Sequence, residues 1–443
     1  MRGGPGLAAT EGSCGKDTSS VKIIVGVAGG IAAYKACHLV RNFKESGDEV
    51  RVIPTPSALN FVGAATFEAL SGNPVSTSVF EAVDEVQHVR LGQEADAVVI
   101  APATADLLAR LAGGRSDDLL SATVLVATCP VIVAPAMHTE MWLNAATQAN
   151  VATLRSRGIT VLEPASGRLT GVDSGPGRLP EPEQIADLAR MVIAGARLPR
   201  DMEGRRVLIT AGGTQENLDP VRYLGNRSSG RQGFALAEVA AQRGAQVHLI
   251  AGATEDMPAP IGARVQRVVS TREMAQAVAE HAPHADAIIM AAAVADFRPA
   301  EQAGAKMKKG GDDEALSALR LVENPDILRS AVQARERGEI PAHVVIAGFA
   351  AETGDDTHSA LDYGLAKLER KGCDMLMCNE VGVGKVFGER RNRGWLLRSR
   401  STGSGEGETA TPEVTELADG SKHEIAGAYL DTLNVAVQAR VLQ

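Results

Sequence analysis

The sequence predicts an α/β protein of two consecutive domains, each built on a mainly parallel sheet. Two apolar strand runs, Val21 to Val27 and Arg206 to Thr210, each lead into a Gly-Gly pair, Gly29-Gly30 and Gly212-Gly213. Strand and helix signals then alternate along both halves, the pattern of βαβ units. The composition agrees: 46 of 443 residues are Gly and only 3% are aromatic, which suits helices packed closely on parallel strands.

The first domain is expected over residues 21–197. After the opening strand, a helix is read from Ile31 to Glu45, because Ala33, Ala36, Leu39, Val40 and Phe43 recur on one face and Gly47 stops it. A strand from Glu49 to Pro54 completes the unit. Further strands are read at Ala97 to Ala101 and Val131 to Ala134. Residues 1–20, rich in Gly, Ser and Thr, read as a disordered leader. Residues 198–204 form a short polar joint containing Pro199.

The second domain, residues 205–443, repeats the grammar. A helix from Gly230 to Arg243 ends at Gly244, and strands follow at Gln246 to Ile250, Ala287 to Met290, Val344 to Ala347 and Asp374 to Met377. The helix Ala360 to Lys371 precedes the last of these. Glu389 to His423 is polar and reads as a long hairpin or mobile excursion, before a final helix from about Glu424 to Val441.

The formal net charge of −9 argues against broad binding to nucleic acid or an anionic membrane, so an anionic ligand needs local donors. No stretch is long and apolar enough to span a bilayer. Five cysteines, Cys14, Cys37, Cys129, Cys373 and Cys378, lie scattered without a CxxC spacing. Neither a zinc site nor a disulfide framework is indicated, and reduced thiols in a cytoplasm are expected.

Ligands of open α/β sheets bind beyond the carboxyl ends of the strands. Gly29-Gly30, Ala103-Thr104 and Ala136-Met137 occupy such ends in the first domain and could line a flat ligand; Gly29-Gly30 reads equally as a tight turn. His88 is either a surface or capping histidine or a base of near-neutral pKa. In the second domain Ser228 or Ser229 would cap the helix that follows. Asp296 could hold Mg2+ (or Mn2+) against phosphates. The loop around Lys306 is either a solvated basic segment or a lid over a triphosphate.

The segments Gly29-Gly30-Ile31-Ala32-Ala33-Tyr34-Lys35, Ala101-Pro102-Ala103-Thr104-Ala105-Asp106, Pro135-Ala136-Met137 and Ser174-Gly175-Pro176-Gly177-Arg178 resemble the flavin-dependent cysteine decarboxylases. The resemblance implies a flavodoxin-like, Rossmann-related domain holding FMN. Gly29, Gly30, Ile31, Thr55, Ala103, Thr104, Ser121, Ala136 and Met137 would contact the cofactor, and His88 would be the base. It further implies that FMN oxidises a cysteine thiol, that CO2 then leaves, and that the enethiolate is reduced back. Substrate would meet His138 and Arg178. The family usually carries Asn where His138 stands, and its reducing branch carries Cys in the flap where Gly171 stands. Water or Thr170 is expected to donate the missing proton.

Asn226-Arg227-Ser228-Ser229-Gly230, Ala291 to Pro299, Lys306 and Asn324-Pro325-Asp326 resemble the phosphopantothenate–cysteine ligases. With the flavin half, the resemblance covers about Val21 to Val441 and points to a bifunctional enzyme of coenzyme A synthesis. It implies that CTP activates the 4′-phosphopantothenate carboxylate as an acyl-cytidylate, which the cysteine amine then attacks. Asn226 would hold that intermediate and Lys306 would offset developing charge. Ala292, Ala293, Asp296, Asn324, Pro325, Asp326, Ile327, Phe349, Lys367 and Lys371 would line the nucleotide site. Self-association into a dodecamer of trimeric flavin domains and dimeric ligase domains is implied too. The alternatives are a plain NAD or FAD oxidoreductase, which lacks the full glycine fingerprint, and a ligase whose flavin half is weak or regulatory.

Overall fold

Apolar strand runs pair in parallel around β1 (Lys22–Val27). The computed structural model describes residues 20–78, 87–168, 174–307, 319–355, 357–380, 391–399 and 411–441. Of the expectations above, most of the leader, the flap positions 170 and 171, and Cys14 lie outside these residues. The first sheet continues with β2 (Glu49–Pro54), β3 (Ala97–Ala103), β4 (Val131–Pro135) and β5 (Thr160–Val161), in the order β2-β1-β3-β4-β5, all parallel. That is the flavodoxin-like order, whose switch point lies between β1 and β3.

The connections run through α1 (Ala33–Glu45), α2 (Ala64–Ser71), α3 (Gln87–Glu94), α4 (Ala105–Ala112), α5 (Leu119–Val126), α6 (Thr139–Leu143) and α7 (Ala145–Ser156). α1 buries Ala33, Ala36, Leu39, Val40 and Phe43 against the sheet, the face that its periodicity marks. Burying a side chain such as Phe43 is worth roughly 1.5–3 kcal/mol. A small antiparallel hairpin, β6 (Ala165–Arg168) with β7 (Ser174–Arg178), leads into α8 (Pro182–Ile193).

The second sheet has eight strands. Its members are β8 (Arg206–Ala211), β11 (Gln246–Ala251), β12 (Ala263–Arg267), β13 (Ala287–Met290), β16 (Val345–Glu352), β17 (Met375–Glu380), β18 (Arg391–Arg398) and β19 (Glu413–Ser421). The order is β12-β11-β8-β13-β16-β17-β18-β19, and only β18 and β19 run antiparallel to their neighbours. The polar stretch after Glu389 therefore contributes two strands of the main sheet. Alternation explains it: Asn392, Gly394, Leu396 and Leu397 are buried while Arg391 and Arg393 face water. Between the strands lie α9 (Arg231–Gln242), α10 (Thr271–His281), α11 (Ile327–Glu336), α12 (Ala360–Lys371) and α13 (Lys422–Val441). Two short pairs, β9 (Gln215–Asn217) with β10 (Tyr223–Gly225) and β14 (Phe297–Pro299) with β15 (Leu321–Glu323), stand apart from the sheet.

The start of α9 differs from expectation. Its N-cap is Gly230 at φ 76°, and no side chain caps it. The Ser228 and Ser229 hydroxyls instead meet the N–H groups of Gly230 and Arg231 at 3.4 and 3.5 Å. A Cβ at Gly230 would lie 2.6 Å from Thr254, so a serine cannot take the cap position.

The two sheets share one apolar cluster, in which Ile185, Leu188 and Met191 of α8 join Phe234 of α9 and Tyr429 and Leu430 of α13. Polar groups fasten the same contact. Glu238 of α9 accepts from Gln184 of α8 (2.6 Å), from the Ile261 N–H (3.2 Å) and from His423 of α13 (2.9 Å). The joint is fastened as well. Arg200 pairs with Glu163 at 2.7 Å, Asp201 accepts from Arg243 and Asn434, and Met202 is buried.

Burial works against the His423 imidazolium, yet the Glu238 carboxylate outweighs it and holds the pKa above its ordinary value. Asp187 and Glu424 act in the same direction. A histidine raised on folding lends stability that is complete below its unfolded pKa, about 6.5, and is lost as pH rises through the folded value. Thermal unfolding followed from about pH 6 to about pH 9 should therefore show a loss with pH that His423→Gln removes. Parallel pH profiles for the two proteins would refute the coupling.

Candidate active sites

Each sheet reverses its strand order at one point, between β1 and β3 in the first and between β8 and β13 in the second, where ligands of such sheets bind beyond the carboxyl ends. In the first, the Ala28 N–H donates to the Pro102 carbonyl at 3.0 Å, which ties the ends of β1 and β3 together. Gly29 lies against the chain after β2, where an added Cβ would be 2.4 Å from the Ser57 hydroxyl and 2.7 Å from its carbonyl carbon. Only glycine fits such an approach. Thr55 is buried and its hydroxyl meets that of Ser57 at 3.0 Å. Thr104 caps α4, accepting from the Leu107 N–H. Ala136 donates to the carbonyl of the buried Ala103, and Met137 to the carbonyl of Gly177.

Gly29, Gly30, Ile31, Thr55, Ala103, Thr104, Ala136 and Met137 therefore gather at the strand ends. Apolar side chains stay exposed in segments that follow these strands: Ile31 at 65%, Phe61 at 51% and Leu143 at 61%. Ser121 is different, because its hydroxyl is spent on a capping box with Asp118 inside α5. His138 precedes α6 with an exposed side chain that caps nothing. Arg178 pairs with Glu181 at 2.7 Å, and Glu181 also holds the buried Lys35 at 2.9 Å. His88 lies on α3, and its Nδ1 is buried without a hydrogen-bond partner. Such an atom is costly unless a further group satisfies it.

In the second cleft, Gly213 bridges both Ala293 and Ala253. An added Cβ there would lie 2.8 Å from the Asn226 carbonyl oxygen. Asn226 itself donates to the Val294 carbonyl at 3.0 Å. Ala292 and Ala295 donate to the hydroxyls of Thr210 and Thr214. Asn324 is fixed on three sides: its backbone N–H donates to the Asp296 carbonyl, and its amide donates to Ala295 and to Thr271. The Asp296 carboxylate is exposed and has no partner among the described residues. Pro325 is exposed and Ile327 buried on either side of Asp326. Asp326 caps α11 and pairs with Lys371. Burial pushes the Asp326 carboxyl up, but Lys371 and the Arg329 N–H hold it below the usual range.

Two further expectations land less directly. Lys367 pairs with Glu352 at 3.0 Å, and Phe349 stacks on the buried Tyr429, ring centroids 5.2 Å apart. Lys306 is exposed and unpartnered among the described residues. The loop that carries it is anchored, because the Met307 N–H donates to Asp219 and its carbonyl accepts from Arg222. Burial opposes the Asp219 charge, yet Arg222 and the N–H groups of Val221, Arg222 and Met307 hold its pKa far below the carboxylate range. The sequence reading missed Asp219 and Arg222; Asp219-Pro220 signals only a turn. It also missed Glu216, which accepts from the Thr271 N–H and hydroxyl and so locks the N-terminus of α10 under Asn324. Among the described residues no group of three or more His, Cys, Asp or Glu is arranged to hold a metal ion.

Residues 11–194 match the family described as Flavoprotein, and residues 202–433 match the DNA/pantothenate metabolism flavoprotein C-terminal domain. The chain is 60% identical over 400 residues to the coenzyme A biosynthesis bifunctional protein CoaBC of Mycolicibacterium smegmatis, covering 90% of this chain and 96% of that one. The chain belongs to the CoaBC family. Its CoaBC relative from Mycobacterium tuberculosis is 57% identical over 413 residues, covering 93% and 96% of the two chains. CoaBC proteins are bifunctional, joining a phosphopantothenoylcysteine decarboxylase to a phosphopantothenate–cysteine ligase, and this chain is such an enzyme of coenzyme A biosynthesis. Among solved structures, the C-terminal domain of a CoaBC is 30% identical, covering 54% of this chain and 99% of that one with a TM-score of 0.42. The FMN-dependent cysteine decarboxylase SpaF is 33% identical over 40% of this chain and 98% of its own, with a TM-score of 0.34.

Proposed function

We propose that the two clefts divide the CoaBC chemistry as follows. The second makes 4′-phosphopantothenoylcysteine: the carboxylate of 4′-phosphopantothenate attacks the α-phosphorus of CTP and releases pyrophosphate. The cysteine amine then displaces CMP from the acyl-cytidylate to form the amide. Asn226 holds the acyl intermediate at the Gly213 turn, and Lys306 offsets charge on the phosphates. Asp326, Lys367 and Lys371 edge the nucleotide site with Ala292, Ala293 and Asn324. Asp296, whose carboxylate is exposed beside the cleft, would hold Mg2+ or Mn2+. The observation that carries this reading is the convergence of Asn226, Asn324 and the chain at Asp296 on one switch point, with Lys306 on a loop anchored beside it.

The first cleft decarboxylates that product. The side-chain-free Gly29-Gly30 turn, the Thr55 and Thr104 hydroxyls and the exposed apolar side chains suit the phosphate and ring of FMN. Bound FMN would supply two-electron redox chemistry at the substrate thiol. His88 serves as base, its unsatisfied Nδ1 marking a polar group with work left to do. Arg178, steadied by Glu181, and His138 receive the substrate carboxylate and phosphate side. Water or Thr170 returns the proton that a flap cysteine gives in the family. The exposed Ile31, Tyr34, Phe61 and Leu143 suit self-association, which we place at a dodecamer. A cytoplasmic site fits the coenzyme A reaction sequence.

The test is one assay on the intact chain with 4′-phosphopantothenate, cysteine, CTP and Mg2+. Pyrophosphate and CMP should appear first, then CO2 and 4′-phosphopantetheine. Use of ATP in place of CTP would overturn the nucleotide assignment. Release of only the oxidised enethiol would overturn the proton-donor assignment and favour a weak flavin half.

A further inference from the structure

The strands that carry the ligase cleft at one end carry a second cleft at the other. Gln246 opens β11, Arg206 opens β8, and a cavity of about 450 Å³ lies beside them. That is within the range of small-ligand sites. With β8 six residues long, the two clefts are on the order of 20 Å apart at roughly 3.3 Å per residue. The lining includes Arg206, His248, Arg264, His281 and His284, and no Asp or Glu. Five cation-forming groups without one carboxylate stand out in a chain of net charge −9.

The cluster is ordered. His248 and His281 both direct Nε2 at the Gln266 Oε1, at 3.0 and 3.1 Å, and their ring centroids are 3.9 Å apart. The Gln266 amide thus ties the two rings together, accepting from a ring whose proton sits on Nε2. Arg206 and Arg264 offer guanidinium groups without an ion pair among the described residues, the fork geometry suited to phosphate. Burial, then His281 and Arg264, keep the His248 pKa below its ordinary value; the Gln266 hydrogen bond and Glu280 pull the other way. Two carboxylates flank the lining in sequence: Glu280, exposed beside His281, and Asp286, which is occupied by the Arg206 N–H at 2.7 Å and faces His343 at 3.9 Å.

We propose that this cleft is a binding site for a small phosphate-bearing anion, separate from both active sites. An anion relieves the mutual repulsion of the imidazoles and guanidiniums, so binding takes up protons and tightens as pH falls toward the imidazole range. The experiment is hydrogen–deuterium exchange on the full-length enzyme with inorganic pyrophosphate, at about pH 6 and about pH 7.5, the two sides of the histidine range. Exchange should slow in residues 262–267 and 281–286, more at the lower pH. The protection should vanish in the double variant Arg206→Ala, Arg264→Ala, while ligase turnover stays unchanged. A parallel arm with CMP tells an esterified phosphate from a free one; protection by either supports the site. Equal protection in the double variant would overturn it. So would no protection at either pH, or protection matched by sodium chloride of the same ionic strength.

Discussion

Lys306→Gln should lower the rate of phosphopantothenoylcysteine synthesis by about 10²–10³-fold, the usual effect of removing one group that meets charge developing in a transition state. The side chain is exposed, so the folded state loses nothing by the change. The loop stays where it is, because its anchors are the Met307 backbone with Asp219 and Arg222, and the Ala303 N–H with Leu218. What disappears is one positive charge on a positioned tether. Glutamine keeps the length and a donor, so binding of CTP should weaken less than turnover falls. Decarboxylation of supplied phosphopantothenoylcysteine should be untouched. Pyrophosphate release within about threefold of the parent would remove Lys306 from the reaction.

Gly29→Ala should empty the flavin half of its cofactor. The change adds one carbon, but at 2.4 Å from the Ser57 hydroxyl and 2.7 Å from the Ser57 backbone. A side-chain rotation cannot relieve a clash with backbone, so the Gly29 turn or the chain after β2 must move, and both face the strand-end cleft. A shift worth about 1.4 kcal/mol in cofactor affinity is already tenfold, and a displaced phosphate cradle exceeds that. The purified variant should show little flavin absorbance and no CO2 release, while still making phosphopantothenoylcysteine from CTP. Stoichiometric flavin in the variant would place the cofactor elsewhere.

The fold was open to reading because its signals are local. β1, β2 and α1 follow from one apolar run, one turn and one helical face, all within about thirty residues. Of the eight-stranded sheet, five parallel strands were read and the parallel β12 was not, while the stretch holding β18 and β19 was read as a long hairpin or mobile excursion. β18 carries Arg391 and Arg393 on its solvent side, so its composition resembles a loop, and only pairing with β17 and β19 makes it a strand. The candidate sites divide the same way. Gly29, Thr104 and Gly213 sit beside strand ends that periodicity locates. Asp219 and Glu216 do not, since each acts on a partner brought up from far along the chain, Met307 for one and Thr271 for the other. The cap of α9 was misplaced by one or two residues because the crowding by Thr254, which demands glycine, is a tertiary contact.

The fastening of residues 198–204 bears on how material passes between the two reactions. A loose tether would let either half swing toward the other. Here Arg200 is held to one half through Glu163 and Asp201 to the other through Arg243, with Met202 sealed between them. The bridge is a strut. For either half to swing toward the other, these contacts would have to break, which disfavours carriage of the newly made amide on a moving arm. Diffusion then carries the amide, and a shorter journey would come from where neighbouring copies set their clefts.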